Sequence, residues 1–382
     1  MKAKKTLAII LAALLMVATI SGCAGMDTPT GTGGQPSSQQ GAAQPGGSGS
    51  GAAPSGDPES ATYIFTDSVG REVELPRNVE RIAPSGSLAQ IVLFSLAPDK
   101  LVGFGSHLND EQFDYIDKKY ADLPVFGNFA HETLNLESLM VAAPQVIIDV
   151  GMFSHGTVDN MEDIQGRTGI PTIFVNMEMH NILEAYETLG AVVGETEQAQ
   201  RLMDYIYQTL SETEQKLASI PATERVKVFY AQDDGLTAIV DGIIHSDVID
   251  FAGGINVAQV EESIRGGAAI ISMEQLMLWN PDIVLFAMNS VYDSVESRAE
   301  WGGIRAVREG RFYEIPGGPY NWMGRPPSVN RIIGIKWLSN LLYPDVFPYD
   351  MIEEMREFYK LFYHCDVSDA QIRDLLSKST LK

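Results

Sequence analysis

Cysteine is nearly absent from this sequence, with two in 382 residues. That excludes a disulfide framework and a cysteine-built zinc or iron–sulfur site. Basic charge is scarce as well: 27 Lys and Arg stand against 50 Asp and Glu, for a net charge of −23. Such a field repels phosphate backbones, so nucleic acid is not an expected partner. Familiar reaction motifs are also missing. There is no Walker A loop, and Gly103-Phe104-Gly105 lacks the third glycine of a dinucleotide fingerprint. His131-Glu132 begins like a zinc-protease motif, but Asn135 stands where the second His belongs, and no G-x-S-x-G elbow follows a strand. The six His, at 107, 131, 155, 180, 245 and 364, are scattered singly. We therefore expect loop or surface roles for them and no protein-held metal, a cage of His107, His131 and His180 being the alternative.

What is present begins with an address. Lys2, Lys4 and Lys5 precede an apolar run from Thr6 to Ile20, shorter than the roughly 20 residues a spanning helix needs. Ile20-Ser21-Gly22-Cys23 resembles a bacterial lipobox, so residues 1–22 read as a signal peptide and Cys23 as the lipidated residue. Residues 24–60 hold ten Gly, five Pro and six Ser and no aromatic. They cannot bury enough apolar surface to offset ordering entropy, and 23–60 reads as a lipidated flexible tether. Cys365 then has no partner in the chain and is expected as a small buried hydrophobe.

From Thr62 onward, short β-rich runs alternate with helical patterns, the mark of an α/β fold with mainly parallel sheets. Residues 63–67 and 71–75 read as a hairpin, 79–83 as a strand, 87–96 as a helix, and 146–150 and 172–175 as buried strands. The body is also written twice. Leu136-Glu137-Ser138-Leu139-Met140 with Pro144-Gln145-Val146-Ile147-Ile148 recurs at an offset of 137 as Met273-Glu274-Gln275-Leu276-Met277 with Pro281-Asp282-Ile283-Val284-Leu285. Looser echoes pair 80–83 with 224–227 and 169–174 with 310–315, at offsets of 144 and 141. Three echoes in one order predict two similar lobes, 61–180 and 222–382. Between them, in 181–221, Ala199, Leu202, Met203, Ile206, Leu210 and Leu217 fall at helical spacing. Gly194 is the expected C-cap of a first piece and Thr196 the N-cap of a helix over 197–218, long enough to link the lobes. Residues 331–342 and 351–376 read as closing helices.

One loop stands out: Ile315-Pro316-Gly317-Gly318-Pro319-Tyr320-Asn321-Trp322-Met323-Gly324-Arg325-Pro326-Pro327-Ser328. Proline limits the entropy lost on ordering. Tyr320, Trp322 and Met323 would supply stacking area, and Arg325 a planar fork for anionic oxygens, which suits a large, partly apolar, anionic ligand. Glu137 and Glu274, at matching repeat positions, read as one negative knob per lobe for a positively charged partner.

Over about residues 62–345 the chain resembles the extracytoplasmic binding proteins that deliver iron–siderophore, haem or cobalamin to ABC importers. The residues carrying this are Asp67-Ser68-Val69-Gly70-Arg71-Glu72-Val73, Pro76 to Ile82, Leu136 to Ile148, Phe251-Ala252-Gly253-Gly254-Ile255-Asn256 and Ser272-Met273-Glu274. The resemblance implies two α/β lobes joined by one long helix with ligand between them, and permease docking through Glu137 and Glu274. It further implies ligand contacts from Ser85, Gly86 and Ser87; Asn128 and Phe129; Met152 and Phe153; Gln232 and Asp233; Asn289 and Tyr292; and Tyr320 to Arg325. The expected protein is a non-catalytic, membrane-anchored monomer outside the cytoplasm that captures an iron chelate, siderophore or haem, for an ABC permease. A corrinoid is the alternative cargo. A chelatase or nitrogenase-like enzyme on a two-lobe body, or a surface interaction module without small ligand, are the alternatives of other classes.

Overall fold

The computed structural model describes residues 60–129, 133–260 and 267–381; Cys23, the signal and tether segments up to residue 59, and His131 lie outside them. Strands β1 (Thr62–Thr66) and β2 (Glu72–Pro76) form the expected hairpin, with Tyr63 and Phe65 buried beside Val73 and Leu75. The tie at its turn is Asp67. This buried carboxylate accepts from the backbone of Val69 and Arg71 at 3.1 and 2.9 Å, from the Arg71 guanidinium at 3.1 Å, and from the Phe174 N–H at 3.3 Å. The Asp-Ser-Val-Gly-Arg motif thus fastens the hairpin to the lobe and has a structural task. Asp67→Ala should lower stability by about 3 kcal/mol, since it takes the charge partner from the Arg71 guanidinium, leaving it only Thr172 and Gln165, and strands several N–H groups. Chemical denaturation would check this, a loss below about 1 kcal/mol counting against it.

The first sheet is parallel, in the order β3 (Ile82–Pro84), β4 (Val146–Gly151), β5 (Thr172–Asn176). Bridges from Leu101 to Ile82 and from Phe104 to Val125 extend it. Helices α1 (Ser87–Leu96), α2 (Leu136–Ala142), α3 (Thr157–Thr168) and α4 (Ile182–Val193) connect and cover these strands. After α5 (Thr196–Leu217) comes the second sheet. It takes β6 (Lys227–Gln232), β7 (Thr237–Ile239), β8 (Ile255–Asn256), β9 (Ala268–Ile270), β10 (Ile283–Phe286) and β11 (Phe312–Glu314), in the order β11-β10-β6-β7-β9 with β8 also on β6. Strands β6, β8, β10 and β11 run parallel, while β7 and β9 are antiparallel to their neighbours, so this sheet is mixed. Helices α6 (Asp247–Phe251), α7 (Met273–Trp279), α8 (Arg305–Arg308), α9 (Asn330–Leu342), α10 (Met351–Phe362) and α11 (Asp369–Leu375) complete the chain, the last two separated where one tail helix was expected.

The duplication at offset 137 is reproduced bond for bond. Asn135 and Ser272 cap α2 and α7 by accepting from Ser138 and Gln275 N–H. Ala143 and Asn280 end those helices at φ 46° and 45°. Gln145 and Asp282 donate N–H to Arg81 and Lys227 carbonyls, each at 2.8 Å, and their side chains accept back from the Arg81 and Lys227 N–H. The looser echoes need correction. Ile82 lies opposite Val146 and Val228 opposite Ile283, so the first strands correspond at an offset of 146 rather than 144. Thr172 and Phe312 face equivalent partners at 140 rather than 141, because the link from Gly310 to its strand is one residue shorter than that from Gly169.

Helix α5 is about 33 Å long at 1.5 Å per residue. Gly194 caps α4 at φ 73°, as expected, but Thr196 is the first helical residue of α5, preceded by Glu195. The α5 helix packs on α1 and α4 of the first half and on α6, α9 and α10 of the second. One apolar core runs continuously from Tyr63 and Phe94 through Ile206 to Trp337, Phe358 and Leu376. Smaller clusters on each side hold the repeat leucines, Leu139 in one and Leu276 in the other. The two sheets share no strand, yet their bases share a core.

Candidate ligand site at the strand ends

In open α/β sheets, ligands sit outside the carboxyl ends of the strands, where loops and helix starts can present polar groups. In the first sheet these ends lead into Ser85-Gly86 before α1, Met152-Phe153 after β4, and Asn176 at the end of β5. Ser85 is buried and its hydroxyl donates to the Asp149 carboxylate, while its carbonyl accepts from Phe129 N–H at 2.8 Å. Burial pushes the Asp149 carboxyl above its ordinary range, against the hydrogen bonds from Ser85 and from Val150 N–H. The Asn128 side chain lies over Gly86, within 2.8 Å of where a Cβ would stand. Met152 and Phe153, which follow β4, project into solvent.

In the second sheet, β6 ends at Gln232, followed by a turn through Asp233 at φ 48°; β10 leads to exposed Met288 and Asn289, the latter at φ 61°; and β11 leads into the Pro/Gly loop. The loops meet across the two halves. Gln90 Nε2 on α1 donates to the Tyr320 hydroxyl at 3.1 Å, and Gln112 Nε2 to the Pro319 carbonyl at 3.1 Å. Gln90 Oε1 in turn holds Ser106 N–H at 2.9 Å.

Residues 85–318, more than half of the chain, match the family model described as periplasmic binding protein. The chain belongs to the periplasmic binding protein family. It is 20% identical over 281 residues to the ABC transporter substrate-binding lipoprotein YvrC of Bacillus subtilis (strain 168), covering 71% of this chain and 82% of that one. An ABC transporter solute-binding protein from Sulfurospirillum deleyianum superposes with a TM-score of 0.75 at 28% identity, over 82% of this chain and 99% of the other. MolA of Haemophilus influenzae, solved with molybdate, has the same fold at 19% identity and a TM-score of 0.66, over 80% and 99% of the two chains.

Within this binding protein, several residues read from sequence as ligand contacts are packed away. Trp322 and Met323 expose no surface; Trp322 stacks edge-on against Trp337 at 6.3 Å between centroids. Tyr320 is buried beneath Gln90, and burial raises its phenol well above the usual range. Tyr292 is held in the second half by Phe286 and Phe312. An aromatic-rich Pro/Gly loop was expected to display its rings, but rings of this size find more stabilisation in the core than over solvent. Of that loop, Arg325 keeps partial exposure.

Arg325 belongs to a polar cluster that no sequence motif signalled. Its charge pulls on the buried Tyr230 phenol, which burial raises to about 12 and which Gln232 and Asn321 also approach. His245 Nδ1 lies 2.6 Å from the Gly324 carbonyl, and burial, with Arg325 and Arg331 adding to it, depresses the imidazole. Behind it Arg331 pairs with Asp247, whose burial pushes its carboxyl up to about 6. Asp149 had one sequence signal, a carboxylate inside a Val-Ile-Ile-Asp-Val strand. His245 and Tyr230 had none, because only the fold brings them to the 321–325 segment. Among the described residues no three His, Cys, Asp or Glu side chains converge to hold a metal ion. His364 instead donates to the carbonyls of Phe94 and Ser95, and Cys365 is half-buried with its thiol raised to about 12 by burial.

Proposed function

We propose that this family member captures an anionic metal chelate, a ferric siderophore or haem, and hands it to an ABC permease. In this reading the ligand lies between lobes 61–180 and 222–382, which the segment 181–221 links. Cys23 carries lipid and 23–60 tethers the body outside the cytoplasm. What supports the reading is the chemistry at the strand ends of the two halves, whose loops meet where Gln90 reaches Tyr320 and Gln112 reaches Pro319. One offers Ser85, Ser87 and Asn128 with the apolar Met152 and Phe153; the other offers Arg325 with Gln232, Asp233, Asn289 and Met288. An arginine fork matches carboxylate, hydroxamate or catecholate oxygens, while methionine and phenylalanine match a chelate's apolar periphery. The molybdate of MolA, a metal oxyanion held on the same fold, agrees with such chemistry. The shared base core supports small closure, since hinge opening would have to break packed apolar contacts.

Titration with ferric siderophores, haemin and cobalamin, followed by absorbance and tryptophan quenching, tests the reading. Saturable binding of one ferric chelate is the expected result, and saturation by cobalamin alone would move the assignment to a corrinoid. Arg325→Ala should weaken the bound chelate at least tenfold, about 1.4 kcal/mol, and Arg325→Lys should recover only part, because an ammonium cannot form the planar fork. Equal affinity in all three proteins would remove Arg325 from the site.

A further inference from the structure

A row of hydrogen bonds runs through the apolar core that joins the two halves. Gln90, buried on α1, donates through Nε2 to the Tyr320 hydroxyl at 3.1 Å. Its Oε1 accepts from the Ser106 N–H at 2.9 Å, so the amide is held from its own half as well. On the far side the Tyr320 carbonyl accepts from Asn330 Nδ2 at 2.7 Å, and Asn330 Oδ1 accepts in turn from the Tyr363 hydroxyl. Gln90, Tyr320, Asn330 and Tyr363 are all buried. A second tie runs alongside: Gln112 Nε2 donates to the Pro319 carbonyl at 3.1 Å, and Tyr115 stacks on Tyr359 at 5.0 Å between centroids.

Apolar burial is non-directional, so by itself it leaves the spacing of two packed bodies loosely defined. A buried hydrogen bond does not. It weakens steeply once stretched or bent, and breaking it strands a desolvated polar group. Where this bond sits gives it a functional consequence. Gln90 lies one turn into α1, which opens at Ser87 directly after Ser85 and Gly86. Tyr320 stands five residues before Arg325. The bond therefore ties the segment carrying Ser85, Gly86 and Ser87 to the loop carrying Arg325. We infer that Gln90 is a positioning residue: by fixing how far the 85–87 turn stands from the Arg325 loop, it selects cargo by size and shape. The inference rests on the chelate reading above and adds to it the group that sets the span. Gln90 acts only through Tyr320, and the rest of the row, Asn330 and Tyr363, keeps Tyr320 from following a displaced partner.

The test measures dissociation constants of the full chain for two probes of different shape, a compact ferric trihydroxamate and the flat macrocycle haemin, by tryptophan quenching, beside thermal midpoints. Gln90→Leu nearly keeps the volume and removes the bond. Tyr320→Phe removes a single oxygen and keeps the test open should the leucine variant fail to fold. Each variant should weaken the better-bound probe about tenfold while changing the other less than twofold. The double variant should do no more than either single one, since the same bond is lost in all three. An unchanged ratio between the probes, whatever the thermal midpoint does, would overturn the inference and leave the row a stabilising contact only. Losses that add in the double variant would show Tyr320 meeting cargo by itself, which overturns it as well. If the wild-type chain binds neither probe, the ferric-chelate reading fails before any variant is compared, and the inference falls with it.

Discussion

Gly105→Ala should abolish chelate binding and cost about 3 kcal/mol of stability. A Cβ at residue 105 would fall within 2.6 Å of the Cα and carbonyl oxygen of Gly86. Both are backbone atoms, so neither can rotate aside, and relief requires the chain to move. Gly86 sits between Ser85, which donates to Asp149, and Ser87, which opens α1. A displacement of that turn therefore shifts one whole wall of the candidate site. Calorimetric titration with the chelate, alongside denaturant unfolding, would read both effects. A variant that unfolds like wild type and binds normally would show that the two glycines are not in forced contact. The same closeness explains Gly103-Phe104-Gly105 without a dinucleotide. Phe104 bridges to Val125 as a rudimentary strand, and its flanking glycines let that strand lie against its neighbours.

The second large effect lies outside the site. Replacing Glu137 and Glu274 together by Ala should eliminate import while leaving chelate affinity as it was. Both carboxylates stand in the first turn of their helices, and both residues are exposed. The backbone N–H at the start of α7 and Ser272 hold the Glu274 carboxyl below its usual range. Neither glutamate makes an ion pair among the described residues. Removing them takes away attraction for a basic partner without opening a hole in the fold, and so separates capture from delivery. The readout is uptake of labelled chelate in the host beside equilibrium binding in vitro. Normal uptake with both alanines in place would refute docking through these residues.

Legibility differed sharply between the local and the long-range features. The α1 helix over 87–96, the hairpin, and strands β4 and β5 were all evident from apolar period and turn residues, since these depend on neighbours in sequence. The helix–strand repeat was equally plain, while its matching caps, Asn135 and Ser272, emerged only from the structure, where each accepts from a backbone donor of the first turn. The looser echoes were misplaced by one and two residues. Short strands can slide in sequence with little change in composition, and only cross-strand hydrogen bonding pins their register. The expected ligand loop erred in another way. Trp322 and Met323 look exposed when read beside glycine and proline, yet Trp337 on a helix beginning eight residues later supplies the surface that buries Trp322.

The order of secondary structure, the duplication and the acidic charge were thus properties of the sequence itself, because each follows from composition or from contacts a few residues apart. Which rings are buried, that Asp149 lies against Ser85, that Tyr230 and His245 gather at the 321–325 segment, and that both halves share one apolar core were decided only by tertiary packing. Those facts depend on groups a hundred or more residues apart competing for the same buried volume, and no local pattern records who wins.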